Sequence, residues 1–531
     1  MEATGIFHKA MADWPVASIM LTVTVLLVSQ FLIRLYRQRR FFRDLPGPPH
    51  SFLWGHLATM GSISALFPAN CHPQAYYTEI SRKYNLEGIF YLDLWPIAPS
   101  QVVLTDPSLL EEVSVKNPLA QHKLSDDFMA PVTGRNNIAT SNGLVWKKLH
   151  KAMAPAFSWS HIRSVTGVMV EECQQFRKTL NEKAATGEVF CLEDLGSKVT
   201  FDIIARVVFN VRLHAQTTGS ATLDDLRELT RMANASTDIT LQFNPITSSK
   251  MWFDRQRVLR RLNPIIRKQI EERFDLLRGQ GIVPSKKDTD SILDLMLRED
   301  LAKDMNSSSK LSEDDVQLLI TNIKALLIGG QGTTVDSLCA LRAEHSSVLG
   351  TSHQATVDSL VASPEKLQSL PYTEAVIKET LRLFPVGFGV RGAPLGATLS
   401  YGNRLFPIDR GLGVVLQGHD VHYNPVYFPD PTHFKPERWL ENEIPKPYFR
   451  TFGRGLRGCL GQNLAMNMLK VILIMTARDF DFQCADLEAN EQPRSIHSDL
   501  DLIFGDKVFQ ELGLEAKPRG GMKMTVKRAR T

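Results

Sequence analysis

The sequence predicts a mainly α-helical domain with small β-sheets, an α+β fold, attached to one N-terminal transmembrane helix. Three observations carry this prediction. Long runs with helical apolar spacing dominate residues 106–385. Short alternating segments lie before and after them, and an uncharged apolar stretch opens the chain. The helical part is therefore expected to form the body, with the sheets at one end.

The composition is that of a folded globular protein, with 43% hydrophobic and 22% charged residues in a chain of 531. No Gly-, Ser- or Pro-rich linker interrupts the chain after residue 50, so residues 51–531 are predicted to form one large domain. The net charge of +4, without an extended basic face, argues against a nucleic-acid partner. Six cysteines without a C-x-x-C pair exclude a disulfide scaffold.

The N-terminal end has the pattern of a membrane anchor. Residues 14–33 contain no charge, and a spanning helix needs about 20 residues. Five arginines follow within residues 34–50, which also contain the Pro-Gly-Pro-Pro segment. We predict a short lumenal N-terminus at 1–13, a transmembrane anchor at 14–33, and a basic stop-transfer segment with a Pro-rich hinge at 34–50. A cleaved signal peptide would instead have a shorter apolar core preceded by its charges.

The individual elements follow from periodicity. Residues 75–105 alternate enough to suggest strands, most clearly at 88–92 and 101–104, and short strands are also expected within 386–420. Amphipathic spacing predicts helices at 161–182, 194–210, 224–235, 255–278, 311–335, 371–384 and 461–478.

The strongest chemical signal is the glycine-rich segment 452–461, which contains Cys459 directly before an apolar helix. Free amides and the dipole at a helix N-terminus favour an anion, and a nearby arginine also favours a thiolate. A soft thiolate is a suitable axial ligand for haem iron. The alternative for a lone cysteine is a structural thiol in a tight turn, but the whole ten-residue pattern argues against it.

This segment resembles the signature F-x-x-G-x-R-x-C-x-G of the cytochrome P-450 superfamily, and every fixed position matches. The resemblance extends over nearly the whole chain, and segments such as 131–157 and 342–385 look most like microsomal fungal members of secondary metabolism. It implies the cytochrome P-450 fold, with residues 51–531 as a haem-thiolate catalytic domain. It also implies haem b as cofactor, with Cys459 as the metal ligand and Phe452, Arg457 and Gly461 beside the cofactor.

Other motifs fit the same family. Glu379 and Arg382 stand three apart, on one helical face, which taken alone indicates a solvated ion pair. They resemble the family's E-x-x-R, and residues 436–439 resemble its P-E-R-F element. The resemblance implies that Glu379, Arg382 and Arg438 form a structural ion-pair triad that fixes the cysteine loop.

A further set resembles the partners of the haem propionates. Trp146 and His150 lie one helical turn apart and match the family's W-x-x-x-[RH] pair. Indole and imidazole can both donate to a carboxylate. Arg457 and Arg391 are further propionate partners by position. An amphipathic helix with a core tryptophan is the alternative for the first two residues.

The segment 329–334 resembles the A/G-G-x-D/E-T-T pattern of the distal helix. Thr333 matches the oxygen-activating threonine, with Thr334 and Gln331 beside it as candidate catalytic residues. Gly332 stands where the family has an acidic residue, so the usual proton relay is incomplete. The stretch that follows is also short, by roughly a dozen residues or about 18 Å of helix.

The resemblance implies a monooxygenase that inserts one oxygen atom from O2 into an apolar small molecule. Electrons would come from NADPH through a separate flavoprotein reductase, since the two G-x-G-x-x-G matches, at 387–392 and 453–458, do not stand between a predicted strand and a helix as a dinucleotide-binding loop does. Lys147, Lys148 and Arg454 could belong to its docking face or be ordinary solvated charges. The anchor implies a single-pass protein of the endoplasmic reticulum membrane with its catalytic domain in the cytoplasm.

Alternatives remain open. Gly332 and the short segment are compatible with a reductase-independent isomerase or dehydratase of the same fold, or with an inactive haem protein. A hydrolase with a thiol nucleophile would need a Cys–His pair that nothing in the sequence localises. By position, the substrate pocket is expected to draw on residues 121–139, 230–250, 325–333, 386–390 and 520–521.

Overall fold

Helices dominate the computed structural model, which describes residues 15–236, 244–285, 291–304, 311–328, 338–441 and 443–529. The predicted class, mainly α with small sheets, is confirmed. The α-helices are Pro15–Phe42 (α1), Leu57–Ser64 (α2), Pro73–Lys83 (α3), Pro107–Glu111 (α4), Lys123–Thr133 (α5), Gly143–Met153 (α6), Trp159–Ser164 (α7), Thr166–Thr186 (α8), Leu192–Phe209 (α9), Ala221–Ala235 (α10), Pro245–Gly279 (α11), Ile292–Asp304 (α12), Glu313–Ile328 (α13), Leu338–Leu349 (α14), His353–Ala362 (α15), Pro371–Leu383 (α16), Gly418–His422 (α17), Arg438–Glu441 (α18), Gln462–Thr476 (α19) and Asp501–Phe504 (α20).

The strands form small sheets, as predicted. Their bounds are Ile89–Leu92 (β1), Gln101–Leu104 (β2), Ala120–Gln121 (β3), Phe190–Cys191 (β4), Gly389–Gly392 (β5), Thr398–Tyr401 (β6), Arg404–Pro407 (β7), Gly413–Leu416 (β8), Phe480–Cys484 (β9), Glu511–Leu512 (β10), Ala516–Lys517 (β11) and Lys523–Arg528 (β12). The largest sheet has the order β1-β2-β8-β5-β3, and within it only β2 and β8 run parallel. A second sheet has the order β4-β12-β9, and β6–β7 and β10–β11 are hairpins.

One part of the strand prediction is wrong. Pro73–Lys83, most of which falls within the region 75–105 expected to alternate as strands, is a helix. His72 caps it by accepting a hydrogen bond from the amide of Gln74, and proline stands at the first helical position, where its missing N–H is not needed. The strands at 89–92 and 101–104 form where they were predicted.

The observed helix boundaries differ from the predicted ones mainly where a capping residue sets the end of a helix. The predicted helix at 161–182 is divided into α7 and α8, and the Ser158 side chain caps α7. The helix predicted at 311–335 is described as far as Ile328, and the rest of it lies outside the described residues. The largest apolar core joins α8, α9, α11, α13 and α19. The cysteine loop leads into α19, so it is attached directly to this core.

The N-terminal helix α1 continues beyond residue 33, the predicted end of the anchor, to Phe42. In the described part of the chain it is the one helix long and apolar enough to cross a membrane. Its last turns carry the basic cluster, but Arg39 does not face solvent: it is 2% exposed. Its guanidinium pairs with Asp93 at 2.5 Å and donates to the carbonyls of Leu53 and Trp95.

This contact attaches the helix to the first sheet. Asp93 follows β1, is fully buried, and also contacts His50 at 3.1 Å. Its pKa is lowered, because although burial raises it, bonds from His50, Arg39 and Gln38 outweigh burial. The Pro-rich segment is tied to the same strand by a bond from the Tyr91 amide to the Pro46 carbonyl, 2.8 Å long. The junction is therefore a packed interface with a buried ion pair.

We expect Arg39→Gln to destabilise the protein by about 3–5 kcal/mol, because it leaves the Asp93 carboxylate buried without its guanidinium partner. Arg43→Gln is the matched control, since the exposed pair of Arg43 with Asp44 should contribute little. Thermal unfolding in nanodiscs measures both. Equal effects of the two substitutions would contradict the structural role of Arg39.

Candidate active site

The loop that carries Cys459 is closed by its own backbone. The Cys459 amide donates to the Phe452 carbonyl at 2.7 Å, and the Gly458 amide donates to the Gly455 carbonyl at 2.9 Å. Gly455 has a φ of +73°, and a Cβ there would lie 2.0 Å from the Ser114 carbonyl oxygen. Only glycine fits that contact, so the turn is pressed against the segment after α4. The geometry holds Cys459 immediately before α19.

The thiol of Cys459 is in a mixed electrostatic environment. Burial, the largest influence, raises its pKa, whereas the amides of Gly461 and Gln462 at the start of α19 lower it. The net effect is that the pKa of the Cys459 thiol is raised above its ordinary value. The guanidinium of Arg457, one of the two arginines in the loop, lies over the Trp146 ring, 4.7 Å from its centroid. The free thiol is therefore mostly protonated at neutral pH, and a bound metal ion would have to displace the proton.

Cys459 is exposed by its accessible surface, yet burial in protein raises the pKa of its thiol. The side chain therefore keeps accessible surface although protein atoms surround much of it. Gly461 lies beside it: a Cβ there would make ordinary contacts with Phe157 and with the Cys459 sulfur, at 3.8 and 3.9 Å. A single accessible thiol before a helix fits a cofactor that brings its own metal.

The predicted propionate partners come together on one side of the loop. The rings of Trp146 and His150 are 4.8 Å apart, on one face of α6, and Arg457 covers Trp146. Among the described residues, Arg457 otherwise donates to two neutral groups, the Ser141 carbonyl and the Asn142 side chain. Burial lowers the pKa of Arg457 to about 10.

Arg391 adds a second cation without a carboxylate partner among the described residues. It is 7% exposed, it lies on β5, and its guanidinium donates to the Gln121 side chain. Burial, together with repulsion from Arg457 and Arg450, lowers its pKa to about 10. Buried charges are normally paired. This surplus of positive charge fits an anionic group with two carboxylates, as haem has.

The structure brings Glu379, Arg382 and Arg438 together in the interior. Glu379 and Arg382 are fully buried and form a two-bond pair at 2.8 and 2.9 Å. Arg438 donates to the same carboxylate at 3.0 Å. Sequence reasoning missed two further donors, the Lys435 amide and the Trp439 indole, each at 3.0 Å. The carboxylate thus accepts bonds from every side.

A buried histidine connects this triad to the cysteine loop, and the sequence contained no sign of it. His422 Nδ1 contacts the Arg382 carbonyl, and the Arg450 amide donates to His422 Nε2, both at 3.0 Å. One neutral tautomer satisfies both contacts. Burial lowers the pKa of His422 to about 3, which keeps the ring neutral. Thr451 adds a direct bond, from its hydroxyl to the Leu381 carbonyl at 2.7 Å.

Two members of the suggested docking face have ion-pair partners. Arg454 forms a two-bond pair with Glu111, at 2.8 and 2.9 Å, and Arg450 reaches the same carboxylate at 3.3 Å. Lys148 lies 3.4 Å from Asp315. Their charges are partly neutralised within the protein, which weakens the case for a continuous basic surface made of these residues.

The remaining predicted residues are placed as follows. Gln331, Thr333 and Thr334 lie outside the described residues. Phe452 supplies its carbonyl to the loop, and its ring packs 6.4 Å from that of Phe449. Gly521, expected near the pocket, lies against Cys191.

The described ranges contain no alternative metal site built from several protein side chains. No group of three or more His, Cys, Asp or Glu side chains there could hold a metal ion. Cys459, with the arginines on one side, is thus the candidate centre to which both the sequence and the geometry point.

Comparison with known proteins agrees with this centre. The family model "Cytochrome P-450" matches residues 45–498. The cytochrome P-450 monooxygenase acrF of Aspergillus aculeatus is 28% identical, over 87% of this chain and 99% of the relative. The monooxygenase polC of Polytolypa hystricis is also 28% identical, over 91% and 90%. The crystal structure of the cytochrome P450DA heme domain has a TM-score of 0.69 at 19% identity, covering 92% of this chain and 97% of that one.

The family match includes the helical body and the cysteine loop, and the single accessible thiol of that loop fits the haem-thiolate cofactor that the family implies. The chain belongs to the cytochrome P-450 family, and it is a monooxygenase of the oxidoreductase class.

Proposed function

We propose that the protein binds haem b through Cys459 and inserts one oxygen atom from O2 into an apolar small molecule, an intermediate of fungal secondary metabolism. The observation that carries the proposal is the single accessible thiol of Cys459, held by the closed loop directly before α19. Bound haem would supply the iron at which O2 is reduced and cleaved, with one oxygen atom going to the substrate and the other to water.

The chain's own residues have separable tasks in this proposal. The amides of Gly461 and Gln462 stabilise the Cys459 thiolate once its proton has left, because both lower the pKa of the thiol. Trp146, His150, Arg391 and Arg457 would bind the propionates. Gln331, Thr333 and Thr334 are proposed, by resemblance alone, to relay protons in the distal part of the cavity.

Electron supply and location follow from the family and the anchor. Cytochrome P-450 monooxygenases generally use O2, a substrate and a redox partner. We propose an NADPH-dependent flavoprotein reductase as that partner, acting from the cytoplasmic side of the endoplasmic reticulum membrane. The apolar helix α1 and the arginines at its end support a single-pass anchor of this orientation.

The test is oxygen incorporation by the full-length chain in nanodiscs, with reductase, NADPH and 18O2. Candidate substrates are extracts of fungal secondary metabolites. The balance RH + O2 + NADPH + H⁺ → ROH + H2O + NADP⁺ predicts one labelled oxygen atom in each product, and no product when NADPH is omitted. Products that form without NADPH and without the label would favour the isomerase or dehydratase alternative, and haem-loaded protein without any product would favour an inactive haem protein.

The proposed propionate site makes its own prediction. Arg457→Gln should weaken haem binding by about 1.5–3 kcal/mol, roughly tenfold or more, because it removes a charged donor. The haem-free variant should not lose thermal stability, because the substitution relieves repulsion between Arg457 and Arg391. Haem titration and thermal unfolding of the haem-free protein measure the two effects. Arg231→Gln, at an exposed pair with Glu228, is the control. Unchanged haem affinity would contradict the assignment.

A further inference from the structure

The loop 134–142, which connects α5 to α6, is closed by its own hydrogen bonds. Asn137 is fully buried within it, and its side-chain oxygen accepts from the amides of Ala139 and Thr140, at 2.9 and 3.1 Å. The Asn137 carbonyl also accepts from the Ser141 amide at 2.9 Å. The loop is therefore a defined turn, and a displacement of one side of it is passed to the other.

One side of this loop is fixed to α13, the described part of the helix predicted at 311–335. The Ile138 amide donates to Oδ1 of Asn322 on α13 at 2.8 Å, and Nδ2 of Asn322 donates to the Leu318 carbonyl at 2.9 Å. Asn322 is fully buried, so water does not compete for either bond. Gly134 packs on the same helix, because a Cβ there would lie 2.8 Å from the Thr321 hydroxyl oxygen. Asn322 thus gives the loop a fixed point on α13.

The other side of the loop contacts the arginines that are proposed to bind the propionates. The Arg457 guanidinium donates to the Ser141 carbonyl and, at 3.4 Å, to Oδ1 of Asn142. Asn142 also pairs with the backbone of Gln121, accepting from its amide at 2.9 Å and donating to its carbonyl at 3.0 Å. The Gln121 side chain in turn accepts from the Arg391 guanidinium. This side of the loop therefore sets the direction of both guanidinium groups.

No acidic side chain competes with these contacts. Neither Arg457 nor Arg391 forms an ion pair with a described residue, so neutral acceptors alone orient their N–H groups. Hydrogen bonds from a guanidinium are directional, and a fork that is turned away from a carboxylate loses its paired contact. Only residues 139–141 separate Ile138 from Asn142. A displacement at Asn322 therefore reaches the contacts of Arg457 across a single turn.

We propose that Asn322 is a positioning residue for the bound haem. By holding Ile138 on α13 it fixes the loop 134–142, and through that loop it aims the Arg457 and Arg391 guanidinium groups at the propionates. The inference rests on the proposed function and on the propionate role of the two arginines within it. It makes the retention of haem depend on a residue of α13 that acts through the loop. It also provides a route by which a movement of α13 changes the propionate site.

The test compares three variants of the full-length, haem-loaded chain in nanodiscs with the wild type. Asn322→Leu keeps the branching of the side chain but removes the acceptor for the Ile138 amide. Asn322→Asp is the conservative variant. Its buried carboxyl group stays protonated, so one oxygen accepts from Ile138 and the hydroxyl donates to the Leu318 carbonyl. Ile270→Val controls for a general loss of stability, because Ile270 is fully buried in the same core, on α11.

Two rates are measured for each variant. Hydrogen exchange of the amides in 134–142 should be several-fold faster in Asn322→Leu than in the wild type, up to about tenfold, the scale of one hydrogen bond. Haem loss to an excess of a haem-scavenging protein should accelerate by a similar factor. Asn322→Asp should keep both rates close to those of the wild type. Ile270→Val should lower the temperature of unfolding and leave both rates unchanged.

A double-mutant cycle shows whether the effect passes through Arg457. If it does, Asn322→Leu should accelerate haem loss less in an Arg457→Gln background than in the wild type, because one of the groups that it positions is already gone. An equal acceleration in both backgrounds would overturn the inference. A rate of haem loss in Asn322→Leu that matches the wild type, or that matches an acceleration in Ile270→Val, would also overturn it.

The carbon monoxide difference spectrum of the same samples tests the proposed function separately. A thiolate spectrum in the wild type, together with unchanged haem loss in Asn322→Leu, overturns the role of Asn322 alone. A missing thiolate spectrum overturns the proposed function and the positioning role together, even where the exchange rates show that Asn322 holds the loop.

Discussion

Cys459→Ala is expected to yield a folded protein that no longer retains haem and has no NADPH-dependent activity above background. The substitution removes the proposed protein ligand of the iron, and losing even an outer partner of a metal site typically costs about 10–100-fold in affinity. The fold should survive, because the loop is closed by the backbone bond from the Cys459 amide to the Phe452 carbonyl. Haem content per protein measures the loss of haem, and thermal unfolding measures whether the fold survives.

Two other thiols supply the controls for this substitution. Cys484, on β9, contacts Asp486, and Cys173 is buried in the helical core. Cys484→Ala and Cys173→Ala should keep their haem, although the second should lose some stability because it leaves a small cavity. If Cys459→Ala retained haem in the amount found in the wild type, the assignment of the ligand would be refuted.

Glu379→Gln is expected to destabilise the protein by about 3–5 kcal/mol, because it leaves the buried guanidinium groups of Arg382 and Arg438 without a counter-charge. The change should also loosen the cysteine loop, since His422 connects the Arg382 carbonyl to the Arg450 amide. Denaturant unfolding measures the loss of stability, and haem content after purification measures the loosening of the cysteine loop. Glu272→Gln is the control, because its pair with Lys268 is exposed and spans 3.7 Å.

The stabilising contribution of Glu379 should depend on pH and should be lost in acid. The pKa of Glu379 is lowered, because bonds from Arg382, the Lys435 amide and the charge of Arg438 outweigh the effect of burial. Its stabilising contribution is therefore complete above the ordinary glutamate pKa of 4.5 and is lost as the pH falls through the lowered value. The difference in stability between wild type and Glu379→Gln should narrow in acid. A constant difference down to the lowest pH at which both fold would contradict this account.

Local patterns predicted the parts of the site that lie close together in the sequence. The cysteine loop is a ten-residue pattern that ends at a helix, and the pairs Glu379–Arg382 and Trp146–His150 are set by helical spacing. Helical periodicity found the long helices, whereas 75–83 was predicted wrongly because this short helix is buried on all sides from Tyr77 to Ser81 and shows no single apolar stripe.

Contacts between distant segments could not be predicted in this way. The Arg382–His422–Arg450 connection depends on how α16, α17 and the cysteine loop pack, which no local pattern encodes. Arg39 belongs to a cluster that reads as a stop-transfer signal, and only the fold places Asp93 opposite it.

The carbon monoxide difference spectrum of the reduced, full-length wild-type protein tests the central claim most directly, because the position of its main band reports the atom that binds the iron opposite to carbon monoxide. We predict the band at the long wavelength typical of thiolate ligation. A folded, haem-loaded wild type whose band lies at the shorter wavelength of histidine-ligated haem proteins would contradict the assignment of Cys459.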